Sequence, residues 1–124
     1  MIQNTKERRH LTAEEREFLA KFARLEVSME QLCEHLHGML EVNFGPTERR
    51  LISYFLLPEP GVRVTKDDIR CVLDKQWKGE ISERELSEWA SMLMLNEAYD
   101  WSGPDEDEIA DTLNELSMTA HEDE

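Results

Sequence analysis

The chain has 124 residues, 40% of them hydrophobic and 34% charged, with a formal net charge of -14. That length suffices for one domain with its own core, without disulfide or metal to hold it. No stretch approaches the ~20 apolar residues of a membrane-spanning helix, and a field of this sign repels nucleic acid phosphates and anionic lipid alike.

Along the chain, Thr12-Ala13-Glu14-Glu15 is a capping box that opens a first helix. Phe18, Leu19, Phe22 and Leu25 follow at helical spacing. Ser28 with Gln31 repeats the cap, and Leu32, Cys33, Leu36, Met39 and Leu40 form the next stripe, with Gly38 near its end. Leu40-Glu41-Val42-Asn43-Phe44 alternates like a short strand, which Gly45-Pro46 breaks.

Residues 47–57 are ambiguous, because Leu51/Phe55 and Ile52/Leu56 fit a helix while the run is rich in strand formers. The favoured expectation is a short helix from Thr47. A small hairpin within residues 40–65, to which Val62-Arg63-Val64 could contribute, is the alternative.

Thr65 with Asp68 caps a helix carrying Ile69, Val72, Leu73 and Trp77, and Gly79 stands where a helix end favours a left-handed residue. Ser82 with Glu85 caps the next, whose stripe is Leu86, Trp89, Ala90, Leu93 and Met94. Tyr99 to Gly103 reads as a loop. Pro104 then precedes a last helix, with Ile109, Leu113 and Leu116 inward and Asp107, Asp111 and Glu115 outward. The expected fold is mainly α: a compact bundle of five to six helices in a single domain over 1–124, with fraying at about residues 1–10 and 119–124.

The charge is segregated. Residues 1–62 carry a net of -2 and residues 63–124 a net of -12; beyond Arg84 there are 13 acidic residues and no lysine or arginine. Such a surface attracts cationic partners. Cys33 and Cys71 are the only cysteines, too few for a disulfide framework, and the N-terminus lacks the apolar stretch of a signal peptide. A reducing, cytoplasmic compartment is the expectation.

Candidate sites divide into those the residue types support and those they oppose. Cys33, His35 and His37 offer metal donors, but on a helix only Cys33 and His37 share a face, and structural zinc needs four convergent ligands. There is no GxSxG, Walker loop or HExxH. A helix–turn–helix over 66–96 would present Glu83, Glu85 and Glu88 to phosphates with only Arg84 to offset them, so direct nucleic acid binding is not expected.

Asp74 to Glu85 resembles a degenerate EF-hand loop, with the first acid, Gly79, Ile81 and the closing Glu in register. It departs at loop positions three and five, which are Gln76 and Lys78. An ammonium at a ligand position opposes calcium. The expectation is a helix–helix corner, closed by Gly79 and the Ser82 cap.

A second resemblance rests on Val64-Thr65-Lys66-Asp67-Asp68-Ile69, Lys78-Gly79-Glu80-Ile81-Ser82 and Glu85-Leu86-Ser87-Glu88-Trp89-Ala90. Over about residues 64–98 this pattern resembles the helical core of small bacterial immunity-type proteins. Among these is the helical colicin D immunity group, which neutralises a tRNA-cleaving toxin. The resemblance implies an acidic inhibitor whose partner is a basic protein, such as a toxin nuclease domain.

The candidate partner-binding residues are Glu88, Asp100, Trp101, Asp107, Asp111 and Glu115. Trp101 reads either as a lid over the core or as an interface anchor, a role in which tryptophan is enriched. No catalytic residue, metal ligand or cofactor is assigned. The alternative function is a structural or regulatory adaptor that docks through apolar grooves between helices.

Overall fold

The computed structural model describes residues 9–44 and 49–122, with side chains as far as Met118. The elements run α1 (Ala13–Ala23), α2 (Met29–His35), β1 (Leu40–Phe44), β2 (Arg49–Ser53), β3 (Val62–Arg63), α3 (Lys66–Trp77), α4 (Glu83–Leu95), β4 (Tyr99–Asp100) and α5 (Glu106–Glu122). All four expected capping boxes form, at Thr12, Ser28, Thr65 and Ser82, each with reciprocal side-chain to backbone bonds. These are local interactions, satisfied within one turn whatever the rest of the chain does.

The middle of the chain departs from the favoured expectation. Residues 49–53 are not helical but form β2, antiparallel to β1, with Val42 opposite Leu51 and Glu41 opposite Ile52. The cross-strand partner decides between two periods that residues 51–57 fit equally well. Thr47, where the helix was expected to begin, and Gly45-Pro46 lie outside the described residues. Met39 and Leu40, expected in the second helical stripe, lie beyond α2, and Leu40 opens β1.

Val62-Arg63 does not join that hairpin. It pairs in parallel with Tyr99-Asp100, so the expected loop at 99–103 begins as a strand. The fold is therefore mixed and mostly helical rather than a pure bundle: among the described residues there are five helices, a two-stranded hairpin and a two-stranded parallel pair.

The core centres on α4, where Leu86, Trp89, Ala90, Met92 and Leu93 are all buried. α5 packs along it through Ile109 and Leu113, and Ser87 Oγ donates to the Ser117 carbonyl at 2.7 Å. Trp89 Nε1 donates to the Ala23 carbonyl at 3.1 Å, and the buried Tyr99 hydroxyl donates to that of Leu19 at 2.7 Å. These two bonds tie α4 and β4 to α1 and give both buried donors an acceptor.

α1 ends in a tight turn. Leu25 N–H donates to the Phe22 carbonyl and Glu26 N–H to that of Lys21, and Leu25 takes φ 54. Glycine is usual at such a position, and a larger residue there costs roughly 1–2 kcal/mol. Lys75 Nζ holds the turn by donating to the Leu25 carbonyl at 2.8 Å.

Two buried carboxylates anchor the edges. Asp68 accepts from Arg24 Nε at 2.7 Å while capping α3. Glu15 takes a bidentate pair from Arg9 at 2.9 and 2.7 Å while capping α1. Of the fraying expected at the ends, residues 1–8 and 123–124 lie outside the described residues. The Arg9 side chain is held by Glu15 and its carbonyl accepts from Leu56 N–H, and α5 runs on to Glu122.

Trp77 corrects the α3 stripe. Burial falls along the helix from Val72 to the half-buried Leu73, and Trp77 at its end is 86% exposed. Met94, expected in the α4 stripe, also emerges at the surface.

Candidate functional site

α5 opens with Glu106, Asp107 and Glu108 in its first turn, where carboxylates complement the positive end of the helix dipole. Ile109 and Leu113 turn inward, and this puts Asp107, Asp111 and Glu115 on the exposed side, each one step of four residues from the next. At 1.5 Å rise per residue the row is about 12 Å long. Lys66 offsets part of the acidity nearby, 3.3 Å from Glu108 and 3.9 Å from Asp105. Among the described residues, neither Asp107 nor Asp111 is ion-paired.

The other candidates lie outside α5. Asp100 lies in β4, 3.1 Å from Arg63, and accepts from Ser102 N–H at 3.1 Å. The Ser102 hydrogen bonds, ahead of Arg63, hold its carboxyl below the usual range. Trp101 is half-buried against the core. Glu88 is half-buried on α4, 4.0 Å from Arg84, and faces a cleft beneath the α1–α2 turn. Of the six residues, the fold brings three into one exposed row.

Two of the metal candidates, His35 and His37, have other neighbours. His35 stacks on Phe18 with ring centroids 3.8 Å apart, and its Nδ1 lies 2.9 Å from the Gln31 carbonyl. His37 Nε2 lies 3.9 Å from Glu15, and burial pushes the Cys33 thiol up. At the EF-hand-like corner, Asp74 is paired with Lys78 at 3.0 Å and Glu85 accepts from Ser82 N–H. Among the described residues no group of three or more His, Cys, Asp or Glu side chains could hold a metal ion, and no helix is long and apolar enough to cross a membrane.

Several surface features have little or no signature in the sequence. Ile52, Leu57 and Leu95 stay partly exposed around a cleft of about 290 Å³ between β2 and the end of α4. Leu95 follows Met94 directly, and that pairing of apolar residues at a helix end is the available signal. Trp77 offers none, since its spacing matches the buried stripe. Glu30 and Glu85 join Glu88 around its cleft, a juxtaposition of two helices that are distant in sequence.

No family model, curated protein or solved structure matches the chain. The chemistry of these surfaces is therefore what points to function.

Proposed function

We propose that this chain is an acidic protein-binding module that engages and neutralises a basic protein, as an immunity-type protein does with a toxin nuclease domain, and that it works in the cytoplasm. The observation that carries this reading is the row of Asp107, Asp111 and Glu115 on the outer side of α5. Three carboxylates within about 12 Å reinforce one another over a Debye length of about 8 Å at physiological salt. A complementary basic surface is steered toward them, and the contact weakens as salt rises. Lysine and arginine are absent from residues 85–124, which supports the same reading. No cofactor or catalytic residue is part of it. Both cysteines are free thiols, consistent with a reducing compartment.

The test is capture from the native cell on the immobilised chain, eluted with a salt gradient, beside the Asp107→Asn/Asp111→Asn/Glu115→Gln variant. The reading expects a basic protein that elutes with salt and is retained poorly by the variant. Equal retention by both proteins would refute it.

The exposed Leu57, Leu95 and Trp77 side chains favour a second reading, an adaptor that docks through apolar contacts. Binding that survives high salt and fails on Leu95→Asp would select it.

A further inference from the structure

The cleft beneath the α1–α2 turn combines two kinds of surface. Its apolar wall includes Leu25, Met29 and the wholly buried Trp89, and Glu30, Glu85 and Glu88 also line it. Its volume, about 170 Å³, is small beside the roughly 300–1,000 Å³ of sites that take cofactors or drug-sized ligands. It has room for one side chain.

The chemistry of that side chain follows from the walls. An apolar stem would lie along Leu25 and Met29 while a positive head met the carboxylates, and lysine and arginine are built in that way. Nearby cations offset only part of the charge. Lys75 is engaged with the Leu25 carbonyl, and Arg84 lies 4.0 Å from Glu88. The cleft's own lining holds three carboxylates and no lysine or arginine, so its mouth is net negative.

Arginine fits better than lysine, since its planar guanidinium is weakly hydrated and can bridge two carboxylates. It is also the charged residue most often found as an interface anchor. Leu25 is held in a left-handed backbone where glycine is usual, and its side chain forms part of the wall.

We infer that this cleft is the socket for an arginine side chain of a partner protein. The inference rests on the proposed basic partner only for the owner of the arginine; the socket itself is testable without one.

The probe is n-butylguanidinium chloride, titrated into the full-length protein with isotope labelling for amide and indole NMR. Sodium butanesulfonate carries the same apolar tail on an anion, and n-butylammonium carries a lysine-like head. The socket predicts saturable shifts at Leu25, Met29 and the Trp89 indole N–H with butylguanidinium, several-fold weaker binding of butylammonium, and none of butanesulfonate.

Glu30→Gln/Glu88→Gln leaves the Glu85 cap in place and should weaken butylguanidinium binding at least threefold. Asp107→Asn/Asp111→Asn/Glu115→Gln should leave it unchanged, so failure of the α5 reading and failure of the socket are separable. The inference is overturned by shifts that do not saturate, by equal binding of butanesulfonate or butylammonium, or by undiminished affinity in a well-folded Glu30→Gln/Glu88→Gln protein. Equal loss of binding in the α5 variant would overturn it too, as a general field effect.

Discussion

Replacing Glu15 by Gln should destabilise the protein by an amount that depends on pH. Arg9 donates to both carboxylate oxygens, at 2.9 and 2.7 Å, and Thr12 N–H donates to one of them at 2.8 Å. The Arg9 bonds, seconded by the Thr12 backbone bond and opposed by burial, hold the Glu15 carboxyl down from 4.5 to about 2. At about 1.4 kcal/mol per unit, that depression corresponds to about 3 kcal/mol before solvent is considered. The Arg9 side chain is 46% exposed, so screening lowers the expected loss to about 1–2 kcal/mol. Because the folded value lies below the unfolded one, this contribution is complete above about pH 4.5 and disappears as pH falls toward 2. Urea denaturation of both proteins between about pH 7 and about pH 2.5 measures the gap. It should be largest at neutral pH and nearly closed at the acid end. A gap of constant size, or a Glu15→Gln variant as stable as the native chain at neutral pH, would refute the reasoning.

The remaining structural predictions concern the α3–α4 corner. Gly79 has φ +79 and open space where a Cβ would stand, so Gly79→Ala should cost about 1 kcal/mol through backbone strain alone, read by thermal or chemical denaturation. Ser82→Ala should cost roughly 0.5–2 kcal/mol in the same assay, as the Glu85 N–H loses its acceptor. Sub-millimolar calcium should leave the melting temperature unchanged, since Asp74 is paired with Lys78 and Glu85 serves the cap; a rise of several degrees would show a metal bound to the native state.

What could be read from the sequence follows the range of the interactions. The capping boxes at Thr12, Ser28, Thr65 and Ser82 involve residues three apart, and each forms as its spacing implies. The inward row of Ile109 and Leu113, and hence the outward row of Asp107 and Asp111, follows from helical period alone. β2 is illegible because Leu51 and Ile52 satisfy both periods, and only pairing with Val42 and Glu41 separates them. The parallel pairing of Arg63 with Asp100 joins residues 37 apart and has no local signature. Trp77 has the spacing of a buried residue because it stands four residues beyond Leu73. Its exposure at the end of α3 is a fact of packing rather than of pattern. The Glu30–Glu88 cleft likewise exists only once side chains of α2 and α4, far apart in sequence, line one space.

The central claim is that the α5 carboxylates draw in a basic partner. The most direct measurement is the association rate constant with the salt-eluted partner, by stopped flow, from low salt to about 0.5 M, for the native chain and for Asp107→Asn/Asp111→Asn/Glu115→Gln. All three residues are exposed, so circular dichroism and melting should match between the two proteins. The native chain should associate faster than its variant by about tenfold at low salt, with the difference shrinking as salt screens the field. Equal rates at low salt, in two equally folded proteins, would contradict the account.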